Sequence, residues 1–172
     1  MAWSSPLNEK AFTLVEILMV VVLIAILTTI GITSGINFSQ DARIAVTNEK
    51  MAAIKAAIVG DARFAAAGHY SKQGYESHCQ GLPTSLNVTT SELVAMPAAG
   101  TCSTIYNPFL KQGWRGPYVS TTGSTAWNVD GWGTAFVYCP TMGAGCAVAR
   151  TLISCGQDST CGTANDKITL SF

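Results

Sequence analysis

Residues 12–30 read Phe12-Thr13-Leu14-Val15-Glu16-Ile17-Leu18-Met19-Val20-Val21-Val22-Leu23-Ile24-Ala25-Ile26-Leu27-Thr28-Thr29-Ile30, an apolar run that holds one carboxylate. Roughly 20 apolar residues in helix cross a hydrocarbon core, so this run is long enough to be expected in a membrane. A carboxylate at the bilayer centre costs about 2.5–3.5 kcal/mol or more, and such a group is normally paired. The run contains no basic residue. Hydrolysis of the Ala11-Phe12 bond would create a partner: it frees an amine at Phe12, and a helix brings positions i and i+4 to one face, so that amine faces Glu16. In an assembly the amine of one copy can equally meet Glu16 of its neighbour.

Two commoner uses of an apolar N-terminal run fit less well. A secretory signal has a short uninterrupted apolar region followed by a small-residue cleavage site, whereas here the run is long and the charge lies within it. A plain single-pass anchor has no reason to keep a costly Glu16. Charge gives only a weak orientation, since Lys10 and the amino terminus on one side face Asp41 and Arg43 on the other.

Beyond Ile30 the pattern becomes that of an amphipathic helix. Ile44, Met51, Ile54, Ile58 and Ala65 recur at spacings of three, four and seven, with Arg43, Asn48, Lys50, Lys55 and Asp61 between them. The alanines at 52–53, 56–57 and 65–67 favour helix, and Gly68 is a natural stop. The expected organisation is therefore residues 1–11 as a leader, 12–67 as one long helix whose first part, 12–30, lies in the membrane, and 68–172 as a globular domain.

All six cysteines, Cys79, Cys102, Cys139, Cys146, Cys155 and Cys161, fall in that last region. An even number confined to one side of a membrane segment reads as a disulfide framework in an oxidising compartment. The C-terminal part is thus expected in the periplasm or outside. The expected pairing is sequential: Cys79 with Cys102, Cys139 with Cys146, and Cys155 with Cys161. No Cys-x-x-Cys occurs, so a thioredoxin-type pair and a zinc ribbon both lack their spacing.

Composition narrows the function further. Charged residues make up 12% of the 172 residues, against about 25% in ordinary soluble domains, as fits a subunit packed among apolar neighbours. Ten basic and ten acidic residues cancel, with no basic run, which disfavours nucleic acid as a ligand. Residues 68–112 are broken by Gly74, Gly81, Pro83, Pro97, Gly100 and Pro108, leaving room for a short helix at Ser91 to Ala95. Strand-like runs follow at 117–120, 134–138, 147–153 and 168–172. The fold class expected is α+β, a long N-terminal helix packed on a small antiparallel sheet.

The N-terminal signature, a polar leader ending Asn8-Glu9-Lys10-Ala11 and then Phe12-Thr13-Leu14-Val15-Glu16, resembles that of type IV pilins and pseudopilins. In that family a prepilin peptidase cuts before the Phe and methylates its amine, and the Glu sets subunit register in a helical filament. Ala11 stands where the family usually has Gly. Thr33, between Gly31 and Gly35, stands where a helix proline is frequent. A second resemblance covers about the last sixty residues: Gly113-Trp114-Arg115-Gly116-Pro117-Tyr118-Val119, then 129–138 from Val129 to Tyr138, then Ser154-Cys155-Gly156-Gln157-Asp158 and Ala164-Asn165-Asp166-Lys167-Ile168. These segments are similar, in order, to those of the major pseudopilin of type II secretion, with Gly131 and Ala135 replacing prolines and Lys167 interrupting an Asp-Ile pair.

The resemblance implies a structural subunit with Ala11 and Phe12 as processing site and Glu16 as assembly carboxylate. Implied partners are prepilin peptidase, copies of the chain and other pseudopilins or pilins, and an inner-membrane assembly platform. The implied location is the bacterial inner membrane, single-pass with the C-terminal domain in the periplasm, then a pseudopilus or pilus. A minor type IV pilin and a membrane-anchored periplasmic binding module are the alternatives. The family's closing loop binds calcium, for which Asp158 and Asp166 are the matching carboxylates; two solvated turn aspartates, with a Cys155–Cys161 bridge closing the loop, are the competing reading. Trp114 and Trp132 are expected to pack on the sheet.

No catalytic constellation is evident. His69 and His78 are the two histidines, and His78 adjoins Cys79 without the third positioned group that a nucleophile or a metal would need. Nucleophile-elbow, phosphate-loop and dinucleotide motifs are missing. The chain reads as a substrate of processing enzymes and not as an enzyme.

Overall fold

The computed structural model describes residues 13–61, 63, 65–66, 69–70, 73–100, 102–120, 127–143, 145–161 and 168–172, with backbone alone at 29–37, 65–66 and 69–70. The chain divides into two compact units, Met1–Asp41 and Ala42–Phe172.

Helix α1 runs from Leu14 to Ile58. From Leu14 to Thr28 its side chains are exposed all round: Leu14 is 83% exposed, Leu18 61% and Leu27 68%. Thr28 Oγ1 donates back to the carbonyls of Ile24 and Ala25 at 2.9 and 3.0 Å, which satisfies the hydroxyl within the helix.

In the second unit α1 buries one stripe. Thr47, Met51, Ile54 and Ile58 are essentially inaccessible, and their spacing of four, three and four is the period of one helix face. Met51, Ile54 and Ile58 form a single apolar cluster with Ala57, Tyr75, Leu93, Trp127, Phe136 and Leu152. Ile44, assigned to the stripe from sequence, is 39% exposed, and Thr47 takes a place in it.

The helix ends at Ile58, not near Ala67. Gly60 takes φ +123°, a conformation that glycine adopts freely and that stops a helix. A side chain on Gly74 would run into the carbonyl oxygen of Ile58 and come within 2.6 Å of the Gly60 nitrogen, so the returning chain abuts the helix end. The alanines read as helix instead enter a two-residue strand, β1 (Ala65–Ala66), paired antiparallel with β2 (His69–Tyr70).

A short helix, α2 (Tyr75–Cys79), follows; no such element is evident in the sequence. Ser91 to Ala95 forms turns closed by Ala95 N–H to Ser91 O at 3.0 Å. The main sheet has three antiparallel strands in the order β3 (Val137–Cys139), β4 (Thr151–Ser154) and β5 (Ile168–Ser171). Register pairs Tyr138 with Leu152, and Leu152 with Leu170. The central strand β4 is buried along its whole length, and Leu152 delivers it to the cluster with Met51 and Ile54.

The segment 117–120, expected as a strand, is not one. Its Tyr118 N–H goes to Leu93 O at 2.8 Å, so the backbone is satisfied by a loop and not by a neighbouring strand. The chain end is tied at several points: Arg150 grips Glu76 with two 2.8 Å bonds, its Nε donates to Phe172 O at 2.8 Å, and Lys55 Nζ donates to Ser171 O at 2.7 Å.

Candidate functional site

The start of α1 is built as a helix cap. Thr13 Oγ1 accepts the Glu16 N–H at 3.3 Å, and Thr13 O accepts it at 3.0 Å. Thr-x-x-Glu is the sequence form of a capping box, a signal present at Thr13-Leu14-Val15-Glu16 that the reading of Glu16 as an assembly residue passes over. Glu16 therefore sits at the positive end of the helix dipole, where a carboxylate is favoured. Its side chain is exposed, and among the described residues no ion pair involves it. Val15, Ile17, Leu18 and Met19 around it are 52–69% exposed. Contiguous apolar exposure on this scale marks a surface made to be covered.

Phe12 and Ala11, the expected processing residues, lie outside the described residues. Among the described residues no helix is long and apolar enough to cross a membrane; the described side chains of the apolar run end at Thr28.

The cysteine pairs form as expected, Cys79–Cys102, Cys139–Cys146 and Cys155–Cys161. Cys79 and Cys102 are each 1% exposed, so the first bridge belongs to the core. Asp158 is exposed and its Oδ1 accepts the Thr160 N–H at 2.9 Å, an aspartate turn within the loop of the third bridge. Asp166 lies outside the described residues. Among the described residues no group of three or more His, Cys, Asp or Glu converges as a metal site.

Sequence reading missed the best-built carboxylate. Asp130 is 2% exposed and accepts from Trp132 N at 3.0 Å, Thr134 N at 2.8 Å and Ser154 Oγ at 2.7 Å. It closes the 130–134 turn and ties it to β4. A buried carboxylate that receives three donors is compensated for its lost hydration. Its signal was the Asp130-Gly131-Trp132-Gly133 turn. Of the tryptophans, Trp114 packs against the core and donates Nε1–H to Glu92 O at 2.8 Å. Trp127, not singled out from sequence, is the one in the core cluster, while Trp132 is outside it.

Of the two histidines, the His69 side chain lies outside what is described, and His78 is held in the core of the second unit. It is 3% exposed, its Nδ1 lies 3.0 Å from Tyr118 Oη, and Tyr106 meets its ring edge-on. Burial, with the Arg115 guanidinium nearby, holds its pKa below the ordinary 6.5. His78 stands beside a cavity of about 700 Å³ between the α1 residues Lys50 to Ala57 and the 115–120 segment, with Trp127 in its wall.

A family model for the prokaryotic N-terminal methylation motif matches residues 6–32. No curated protein and no solved structure matches the chain. The motif supports a type IV pilin-like, prepilin-type protein and implies processing by prepilin peptidase and pilin-type assembly. The α+β arrangement of a long helix followed by a small antiparallel sheet is consistent with a type IV pilin-like fold.

Proposed function

We propose that the chain is a pseudopilin, a structural subunit of a type II secretion pseudopilus. It is cut between Ala11 and Phe12, methylated at the Phe12 amine, held in the inner membrane by the N-terminal part of α1 with its C-terminal domain in the periplasm, and then assembled with copies of itself into a filament. The observation that carries the reading is the junction of the methylation motif at 6–32 with a helix whose described side chains from Leu14 to Thr28 are all exposed and include one carboxylate, Glu16. A helix apolar all round needs lipid or other helices about it, and the lone carboxylate needs a partner there. The freed amine of a neighbouring subunit supplies that partner. The disulfides support a periplasmic domain. The order of the 113–119, 129–138 and 154–168 segments favours the pseudopilus over the type IV pilus.

The test has two parts. Intact mass and N-terminal sequencing of the protein from a host with prepilin peptidase should give N-methyl-Phe12 as the first residue; an N-terminus at Met1 or Ala2 would overturn the processing step. Glu16→Val should then leave membrane insertion and cleavage intact while incorporation into filaments, measured by shearing and sedimentation, falls. Normal incorporation of the variant would remove the assembly role of Glu16.

A further inference from the structure

The loop from Ile105 to Arg115, within the second unit, carries that unit's two most exposed large apolar side chains among the described residues, Phe109 at 95% and Ile105 at 81%, with Leu110 at 67%. Its backbone is braced by its own bonds. Asn107 N–H donates to Gln112 O at 2.7 Å, and Asn107 Oδ1 accepts the N–H groups of Phe109 and Leu110 at 2.9 and 3.2 Å, a side-chain turn that fixes the chain locally. At the base of the loop Tyr106 N–H donates to Trp114 O at 3.1 Å and Trp114 N–H to Thr104 O at 2.8 Å, while Trp114 packs against the core. Phe109 and Leu110 are therefore held out from the core. Apolar side chains displayed in this way mark a surface that meets a partner.

Charge selects the partner. From Leu93 to Val129 the sequence has no Asp or Glu, whereas Lys111 and Arg115 fall in the loop and are both exposed. Neither joins an ion pair among the described residues, and the Arg115 guanidinium lies 5.0 Å from the centre of the Tyr106 ring. Exposed Phe and Leu flanked by cations, with no carboxylate beside them, suit an anionic lipid surface: the apolar groups enter the boundary between headgroups and acyl chains, and the cations meet lipid phosphates. A second copy of the chain fits less well. An aromatic anchor docks into a pocket, and the cavity of about 700 Å³ is lined by Arg115, so docking there would set Lys111 of one copy against a like charge of the next.

We propose that Phe109 and Leu110 insert into the anionic lipid surface of the membrane that holds the chain, with Lys111 and Arg115 on lipid phosphates, and that this contact seats the second unit of the unassembled subunit on the leaflet. The proposal rests on the reading that the N-terminal part of α1 is inserted in that membrane.

The full chain, with the photoreactive p-benzoylphenylalanine in place of Phe109, is reconstituted into vesicles of phosphatidylcholine alone and of equal parts phosphatidylcholine and phosphatidylglycerol. Flotation of the vesicles shows insertion, and intact mass after illumination shows what the group has captured. Lipid adducts are expected on the mixed vesicles, several times more abundant than on phosphatidylcholine alone and than from the same group in place of Met142, an exposed apolar side chain with no cation beside it. Lys111→Glu should lower their yield about fivefold, as removal of one cation from an anionic surface implies. A chain that does not float with the vesicles loses the membrane reading of α1 and this proposal with it. For a chain that does float, equal lipid capture at positions 109 and 142, or a yield indifferent to phosphatidylglycerol and to Lys111→Glu, leaves α1 as an anchor and overturns the proposal alone. Capture of a second copy of the chain at position 109 overturns it too, and assigns the loop to contact between subunits.

Discussion

The N–H of Gly131 donates to Oγ1 of Thr47 at 2.9 Å, and the same hydroxyl donates to Arg43 O at 2.8 Å. This joins the turn before β3 to the one polar position in the buried stripe of α1. The approach is so close that a Cβ on Gly131 would collide with the Arg43 carbonyl oxygen and lie 2.9 Å from the Arg43 Cα. It also explains why glycine stands where the resembled family has proline: a proline has no N–H to give Thr47, and its ring would meet the helix backbone.

Gly131→Ala should therefore destabilise the second unit by about 1–3 kcal/mol through forced overpacking. Thr47→Val, nearly the same shape, removes the acceptor and leaves the Gly131 N–H unpaired, a cost of about 1–3 kcal/mol. Urea unfolding of the full chain in lipid nanodiscs, followed by tryptophan fluorescence, measures both. If Gly131→Pro were as stable as the parent, the contact would not be structural.

The disulfides should differ in what they contribute. Bridge Cys79–Cys102 spans 23 residues and the other two span 7 and 6. Constraint of the unfolded chain grows slowly with loop length, giving about 3 kcal/mol for the first and about 2 kcal/mol for the short ones. The first bridge also fills the core, since both its cysteines are inaccessible. Cys79→Ser with Cys102→Ser should thus lower the unfolding midpoint most. An equal loss on removing Cys155 and Cys161 would show that loop length does not govern stability here.

What was legible follows from how local each signal is. The buried period through Met51, Ile54 and Ile58 and the disulfides between sequence-adjacent cysteines depend on short spacings, and each took the expected form. The end of α1 was not legible because propensity favours helix through Ala65 to Ala67, while the stop depends on Gly60 and on the distant Gly74 pressing on the helix end. The run 117–120 has strand composition, yet its Tyr118 N–H is taken by Leu93. The cavity could not be read at all: Lys50, His78, Arg115 and Trp127 meet only through the tertiary fold. The cap at Thr13 is legible in Thr13-Leu14-Val15-Glu16, the sequence form of a capping box.

His78 makes stability depend on pH in a direction that its surroundings fix. Tyr118, Tyr106 and Arg115 face it, with no carboxylate among these groups to hold a proton in place. Burial, then the Arg115 charge, lowers its folded-state pKa below 6.5. As pH falls through about 6.5 the unfolded chain takes up a proton that the folded chain refuses, so the unfolded state binds more protons and stability falls with pH. The loss begins below the unfolded pKa, grows by at most about 1.4 kcal/mol per pH unit, and levels off once pH passes below the folded pKa. Urea unfolding between pH 7.5 and 5 should show this slope in the parent. His78→Gln, which keeps a hydrogen-bonding group beside Tyr118 and cannot titrate, should flatten it. Carboxylates common to both proteins cancel in the difference. Identical slopes would mean that the folded state accepts the proton on His78.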